Sequence, residues 1–218
     1  MLLSWDFRLD AGSVSASIYA TWEKILRQEV WDLRVPENAR GDFRTRSLKK
    51  MIDWVTVPDN RFGADPVSGR DALLLTSLEK AVQQLMRQLG PDLTQWRYGQ
   101  EKLHHILIRH ILSEAVNDQT RSRLDAGPAP RGGNGETVNN TSNNDNQSSG
   151  ASFRIIADLE NWDLSLGTNS PGQSGDPASP HYRDLFELWA RGKYFPVYFS
   201  RSKVEAAARS ATVLKPAP

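Results

Sequence analysis

Residues 117 to 152 read NDQTRSRLDAGPAPRGGNGETVNNTSNNDNQSSGAS, a stretch with almost no large apolar side chain. Such a composition buries too little apolar surface to offset the entropy of ordering it, which predicts a flexible loop. The core must therefore come from the two flanks. Hydrophobic residues make up 39% of the 218, with seven Trp and seven Phe, enough for one good-sized domain or two small ones. The expected division is a helical segment over residues 1–95 and a strand-rich part over 96–218, incomplete as a domain on its own.

Before the loop the apolar spacing is helical. Ile18, Trp22, Ile25, Leu26, Val30 and Leu33 line one stripe between Ser13 and Val35, and Pro36 ends it. Leu48, Met51, Ile52 and Val55 form a second helix that stops before Pro58. A third carries Leu74, Leu78, Val82, Leu85 and Leu89, with Ser68 and Asp71 as its expected capping box and Gly90-Pro91 as its stop. The β-branched centre of KLHHILIRHIL, residues 102–112, predicts a buried strand.

After the loop the period changes to two. Phe153, Ile155, Ala157 and Leu159 alternate with other positions, and Trp162, Leu164 and Leu166 repeat the pattern beyond Glu160-Asn161, which predicts a β-hairpin. Tyr182, Leu185, Phe186 and Trp189 fit a helix broken at Gly192, with Ser179 as N-cap and Pro180 at its first position. FPVYFS, residues 195–200, predicts a strand, and Ser202 with Glu205 caps a last helix reaching about Ala211. Helices first and antiparallel strands later make an α+β layout.

Charge and cysteine content exclude several classes. Lys and Arg number 27 against 26 Asp and Glu, so a net charge of +1 gives no global attraction to nucleic acid or anionic membrane. Cysteine is absent, which removes disulfides, Cys-based zinc sites and thiol nucleophiles. No apolar run reaches the roughly 20 residues of a membrane span. The opening MLLSWDFRLDAG lacks a basic n-region, so it does not read as a secretory signal but as the middle of a longer protein.

Chemistry-bearing residues fit structural roles. His104, His105 and His110 show neither the i, i+2 spacing of a strand metal pair nor the i, i+4 spacing of a helical one. Asp158, Glu160 and Asp163 cluster at the hairpin turn, where acids bond local backbone N–H groups or water. RGGNGE, residues 131–136, lacks the Lys-Ser/Thr ending of a phosphate loop. Asn139, Asn140 and Asn146 fall in N-x-S/T matches that arise easily in an Asn-rich stretch, and Trp22, Trp54 and Trp189 read as core. His181 lies near Ser174 and Ser179, yet no orienting acid is specified.

Three segments carry a resemblance: NGETVN (134–139), SGASFRIIADLENWDLSLGTNSPGQSGDPASPHY (149–182) and YRDLFELWARGKYFPVYFSRSKVEA (182–206). In this order they resemble the penicillin acylase (penicillin amidase) family of N-terminal-nucleophile hydrolases, and WRYGQEKLHHILIRH, residues 96–110, is similar to the segment upstream of them. The resemblance implies the C-terminal portion of a four-layer αββα fold, in which an α and a β chain arise by cleavage of a precursor. It implies hydrolysis of linear acyl amides by a Ser at the start of the β chain, whose own amino group activates the hydroxyl. An acyl-enzyme forms, with its oxyanion held by backbone N–H and an Asn side chain.

The match covers only the last part of such an enzyme. Removing Met1 would expose Leu2, Ser4 is not terminal, and Gly12-Ser13 lies too close to the motifs to be the family's cleavage point. The resemblance therefore assigns no catalytic, cofactor-binding or metal residue here, and places any structural calcium outside this chain. It implies a scaffold fragment of the β subunit, inactive alone, whose partners are the α chain and the N-terminal part of the β chain. The resemblance implies that the complete enzyme takes an acyl amide small molecule, leaving penicillins, acyl-homoserine lactones and other acyl amides open, with a part in antibiotic biosynthesis and a periplasmic or extracellular location. The alternative is a stand-alone module that holds sugar or peptide on exposed aromatics. A fragment would leave sheet edges and the apolar faces of 153–159 and 162–168 uncovered.

Overall fold

The computed structural model describes residues 2–42, 46–100, 102, 105–142 and 146–215. It divides into two compact units, residues 1–103 and 104–218. The elements run from helices to antiparallel strands, an α+β order.

The first unit holds α1 (Val14–Arg34), α2 (Leu48–Thr56) and α3 (Pro66–Leu89). Ser13 caps α1, its Oγ accepting from the Ala16 N–H at 3.1 Å, and Ser47 does the same for α2 from Lys50. The stripe of α1 is buried in two clusters, Ile18 with Leu85 and Trp96, and Leu26 and Val30 with Met51. Each such side chain stabilises by about 1.5–3 kcal/mol. The start of α3 differs from the Ser68–Asp71 box. Asp65 is the N-cap, accepting from the Val67 and Ser68 N–H groups at 3.2 Å and from Ser68 Oγ at 2.7 Å, while Asp71 pairs with Arg70. Pro66 explains the shift, because its fixed φ pre-forms the first helical position directly after Asp65. At the other end Gly90 takes φ +85° and donates to the Met86 carbonyl, the expected stop.

The second unit begins with β1 (His105–Ile108), antiparallel to β2 (Ala126–Pro130), with α4 (Asp118–Leu124) between them. Both α4 and β2 lie in the stretch whose composition predicts a loop. Asn117 caps α4 through Thr120, and β2 is held by pairing with β1 and by burial of the small side chains Ala126 and Ala129. Gly127 sits at φ +108°, and a Cβ there would meet the Ile106 carbonyl oxygen at 2.6 Å, so the close crossing of β2 over β1 requires glycine.

A three-stranded antiparallel sheet follows, in order β3 (Arg154–Ile156), β4 (Leu166–Thr168), β5 (Phe195–Pro196). The hairpin forms with Arg154 opposite Thr168, but its strands are three residues long and Trp162–Leu164 make a 3-10 turn instead of strand. Asn161 caps that turn by accepting from the Asp163 N–H, which takes the backbone out of the ladder. The helix expected from Pro180 is only α5 (Phe186–Ala190), with Leu185 at its N-cap position and no side-chain cap. Residues ahead of it are held otherwise: Tyr182 donates its hydroxyl to the Leu124 carbonyl, and Arg183 donates to the Ser122 and Asp125 carbonyls. Ser179 instead accepts from the His181 N–H, a local turn. The last helix, α6 (Arg201–Ala207), starts after Ser200 and is supported by an Arg201–Glu205 pair, not by a Ser202–Glu205 cap.

Candidate functional site

The segments that carry the resemblance converge on one residue, Trp189 of α5, which is fully buried. Its indole Nε1 donates to the Ala151 carbonyl at 2.7 Å, and its ring packs with Phe186, Ile106, Ala126 and Ala129. Arg131 lies over the indole, its guanidinium carbon 3.6 Å from the ring centroid, and donates from Nη1 to the Trp189 carbonyl at 3.0 Å. Arg154 of β3 reaches the same carbonyl from Nη2 at 3.0 Å and donates from Nη1 to Asn139 Oδ1 at 2.6 Å. Asn139 closes the ring of contacts by donating to the Gly132 carbonyl at 2.9 Å.

Gln147 is also buried and donates to the Gly133 carbonyl at 3.2 Å, while its backbone bonds both ways with β1. Polar side chains thus form much of this interior, which composition alone assigns to solvent. Among the described residues no carboxylate pairs with Arg131 or Arg154. Burial, first, and then the neighbouring charge of Arg154 bring the Arg131 pKa down to about 10. That still leaves a cation at neutral pH.

RGGNGE does not present its amides as a phosphate cradle. The Asn134 N–H donates to Thr137 Oγ1 at 3.0 Å, the Glu136 N–H to Asn134 Oδ1 at 3.0 Å, and the Thr137 N–H to the Asn134 carbonyl, so the loop is closed on itself. Its useful member is Arg131, buried instead of solvated. Of the three expected sequon positions, Asn139 spends its side chain on Gly132 and Arg154.

The remaining candidates are not brought together. His104 lies outside the described residues. His105 is half-buried on β1, and His110 falls beyond the strand, where its Nδ1 accepts from the Leu112 N–H. The backbone N–H of His110 and the Ser113 hydroxyl both donate to Asp125. Burial raises the Asp125 pKa, but these hydrogen bonds and the charges of Arg109 and Arg121 outweigh it, so the net shift is downward. His181 meets Asp184 at 2.8 Å in an exposed turn, while Ser174 Oγ accepts from the Asp176 N–H and meets His181 through the backbone, its N–H donating to the His181 carbonyl.

At the hairpin, Asp158 bonds the local Glu160 and Asn161 N–H groups as expected of a turn acid. Asp163 reaches further, accepting at 2.8 Å from the N–H groups of both Phe199 and Ser200. The Ser200 hydroxyl, then the Ser200 and Phe199 amides, hold its carboxyl below the usual range. Trp22 and Trp54 pack against the buried residues of the first unit, as read from their stripes. No group of three or more His, Asp or Glu able to hold a metal ion occurs among the described residues. Nothing in this arrangement pairs a nucleophile with a base, and what it does is lock distant chain segments around an indole.

A family model for penicillin amidase matches residues 1–206. The acyl-homoserine lactone acylase QuiP of Pseudomonas aeruginosa is 26% identical over 230 residues, covering 94% of this chain and 27% of the relative. The penicillin acylase 2 proenzyme of Pseudomonas sp. (strain SE83) is 30% identical over 224 residues, covering 99% of this chain and 28% of the relative. Among solved structures, a thermostable penicillin G acylase from Alcaligenes faecalis is similar with a TM-score of 0.50 and 20% identity, over 100% of this chain and 42% of that one. The chain therefore spans about a quarter of the length of the curated relatives it matches.

Proposed function

The chain belongs to the penicillin amidase family, and from that premise we propose that it is scaffold from the C-terminal part of an acyl-amide hydrolase whose nucleophile another part of the protein supplies. The observation that carries the reading is the half-built sheet. Ile155 and Ile156 are neighbours on a strand and point to opposite faces, yet they are 54% and 52% exposed. Among the described residues β3 and β5 each pair on one side alone. Gly167 and Thr168 of the central strand are buried, but exposed apolar side chains on both sides of β3, with unpaired outer edges, have the form of a layer awaiting others. The relatives, about four times as long, have the chain to supply them.

Ser13, the one Ser that follows a Gly near the start, is occupied as the cap of α1 and is bonded at both its hydroxyl and its N–H. That supports a source of catalysis elsewhere. The reaction in this reading is attack by an N-terminal Ser on the acyl carbonyl, release of the amine, and hydrolysis of the acyl-enzyme. Candidate substrates follow the names of the relatives, penicillins and acyl-homoserine lactones. The alternative of a stand-alone sugar- or peptide-binding module would need a flat aromatic platform. The exposed pair Trp162 and Phe199 is instead tilted by 46° at 5.1 Å, a packing edge that suits a covering layer better.

Release of a chromogenic amine from an acyl amide tests this. The purified 218-residue chain is expected to give none, and to give turnover when combined with a Ser-led remainder from a relative. Turnover by the chain alone that disappears with His105→Ala would overturn the reading.

A further inference from the structure

Arg131 is 1% exposed, and among the described residues only its Nη1 has an acceptor; Nε and Nη2 have none. Arg154 shares the acceptor of Arg131, the Trp189 carbonyl, and its own Nε is also buried without a partner. Two guanidinium groups thus converge on a single neutral oxygen. The Trp189 ring and the carbonyl end of α5 offset part of the charge, the ring through its negative face and the carbonyl through its dipole. Neither supplies a counter-charge, and a buried cation without one is strongly unfavourable.

The unpaired atoms are not scattered. Nε and Nη2 lie on one edge of the guanidinium, where their N–H bonds run parallel, and two oxygens of a carboxylate match that edge atom for atom. Chloride offers one contact point, and a phosphate dianion carries a second charge that would also lose its water. We propose that Arg131 and Arg154 form a receptor for one carboxylate, which binds the Nε–Nη2 edge of Arg131 beside Trp189. The carboxylate is either an Asp or Glu side chain from another stretch of polypeptide or a free carboxylic acid.

The test replaces sodium chloride by sodium acetate at pH 7 and constant ionic strength and follows thermal unfolding of the 218-residue chain. Acetate at ten times its Kd is expected to raise Tm saturably by about 4 °C. Arg131→Met is expected to remove that dependence and, in chloride, to melt no lower than wild type, since it removes an unpaired buried charge. Hexanoate separates the sources: saturation at lower concentration than acetate indicates a free acyl acid, and weaker or equal binding indicates a side-chain carboxylate. Equal Tm in acetate and chloride, an acetate shift that persists in Arg131→Met, or a loss of Tm in that variant equal in both salts would overturn the proposal. A second readout is the arginine Nε–H resonances of labelled protein. Acetate should move two of them, one absent from Arg131→Met, and unmoved resonances would equally overturn the site.

Discussion

The two units handle charge and backbone in opposite ways. In the first, helices meet their hydrogen-bonding needs within themselves and at caps such as Ser13, Ser47 and Asp65. There Arg34, its side chain largely covered, is paired with Asp59 and stacked near Trp54 and Phe62. In the second, a sheet leaves apolar residues on both faces exposed and two arginines share one carbonyl. A helix closes its ladder locally, whereas a strand needs a neighbour for each edge and each face. A helical unit can therefore complete its structure within a short chain, while a sheet inherits whatever its neighbours leave open.

That contrast can be broken experimentally. Trp189→Ala should have the largest effect, about 3–5 kcal/mol, because it removes the ring on which three segments close. Chemical denaturation followed by near-ultraviolet circular dichroism should lose the signal of the second unit while helical far-ultraviolet signal persists. Leu85→Ala, at the fully buried junction of Ile18 and Trp96, should cost about 2.7–5 kcal/mol and act on the helical signal. Were both substitutions to abolish both signals together, the two units would not differ as described. Asp65→Ala should lower the denaturation midpoint of the first unit, by less than Leu85→Ala does, through loss of the α3 cap.

The smallest effect sharpens the comparison by pH. Asp163 is held below its ordinary pKa, chiefly by the Ser200 hydroxyl, so its stabilisation is present above the unfolded-state carboxylate pKa and fades as pH falls through the folded value. Asp163→Asn should therefore flatten the acid limb of the second unit's stability profile and leave neutral helical content unchanged. An identical acid limb in wild type and variant would remove Asp163 from the account.

What the sequence made legible follows the same division. The extents of α1 and α2 could be read from apolar spacing and from Pro36 and Pro58 beyond them, while the Ser13 and Ser47 caps appear in the structure. The α3 start was displaced because two capping signatures overlap, and Asp65-Pro66 wins over Ser68-Asp71 by its fixed φ. In residues 117–152 the rule that polar means exposed failed at Arg131, Thr141 and Gln147. Those side chains are buried by hydrogen bonds and, for Arg131, by stacking on an indole, contacts whose partners lie up to 58 residues away. Periodicity registers only apolar faces and cannot foresee such partners. The anchoring of Tyr182 and Arg183 on the Leu124 and Asp125 carbonyls was likewise not legible.

The second unit also carries its own pair of optical probes. Trp189 is sealed beneath a guanidinium and bonded through its indole N–H, whereas Trp162, in the turn that joins β3 and β4 of the sheet, is 56% exposed. A layer laid over that sheet would dry the second indole and leave the first as it is. The difference between their emission colours would then report assembly of a larger protein without any added dye.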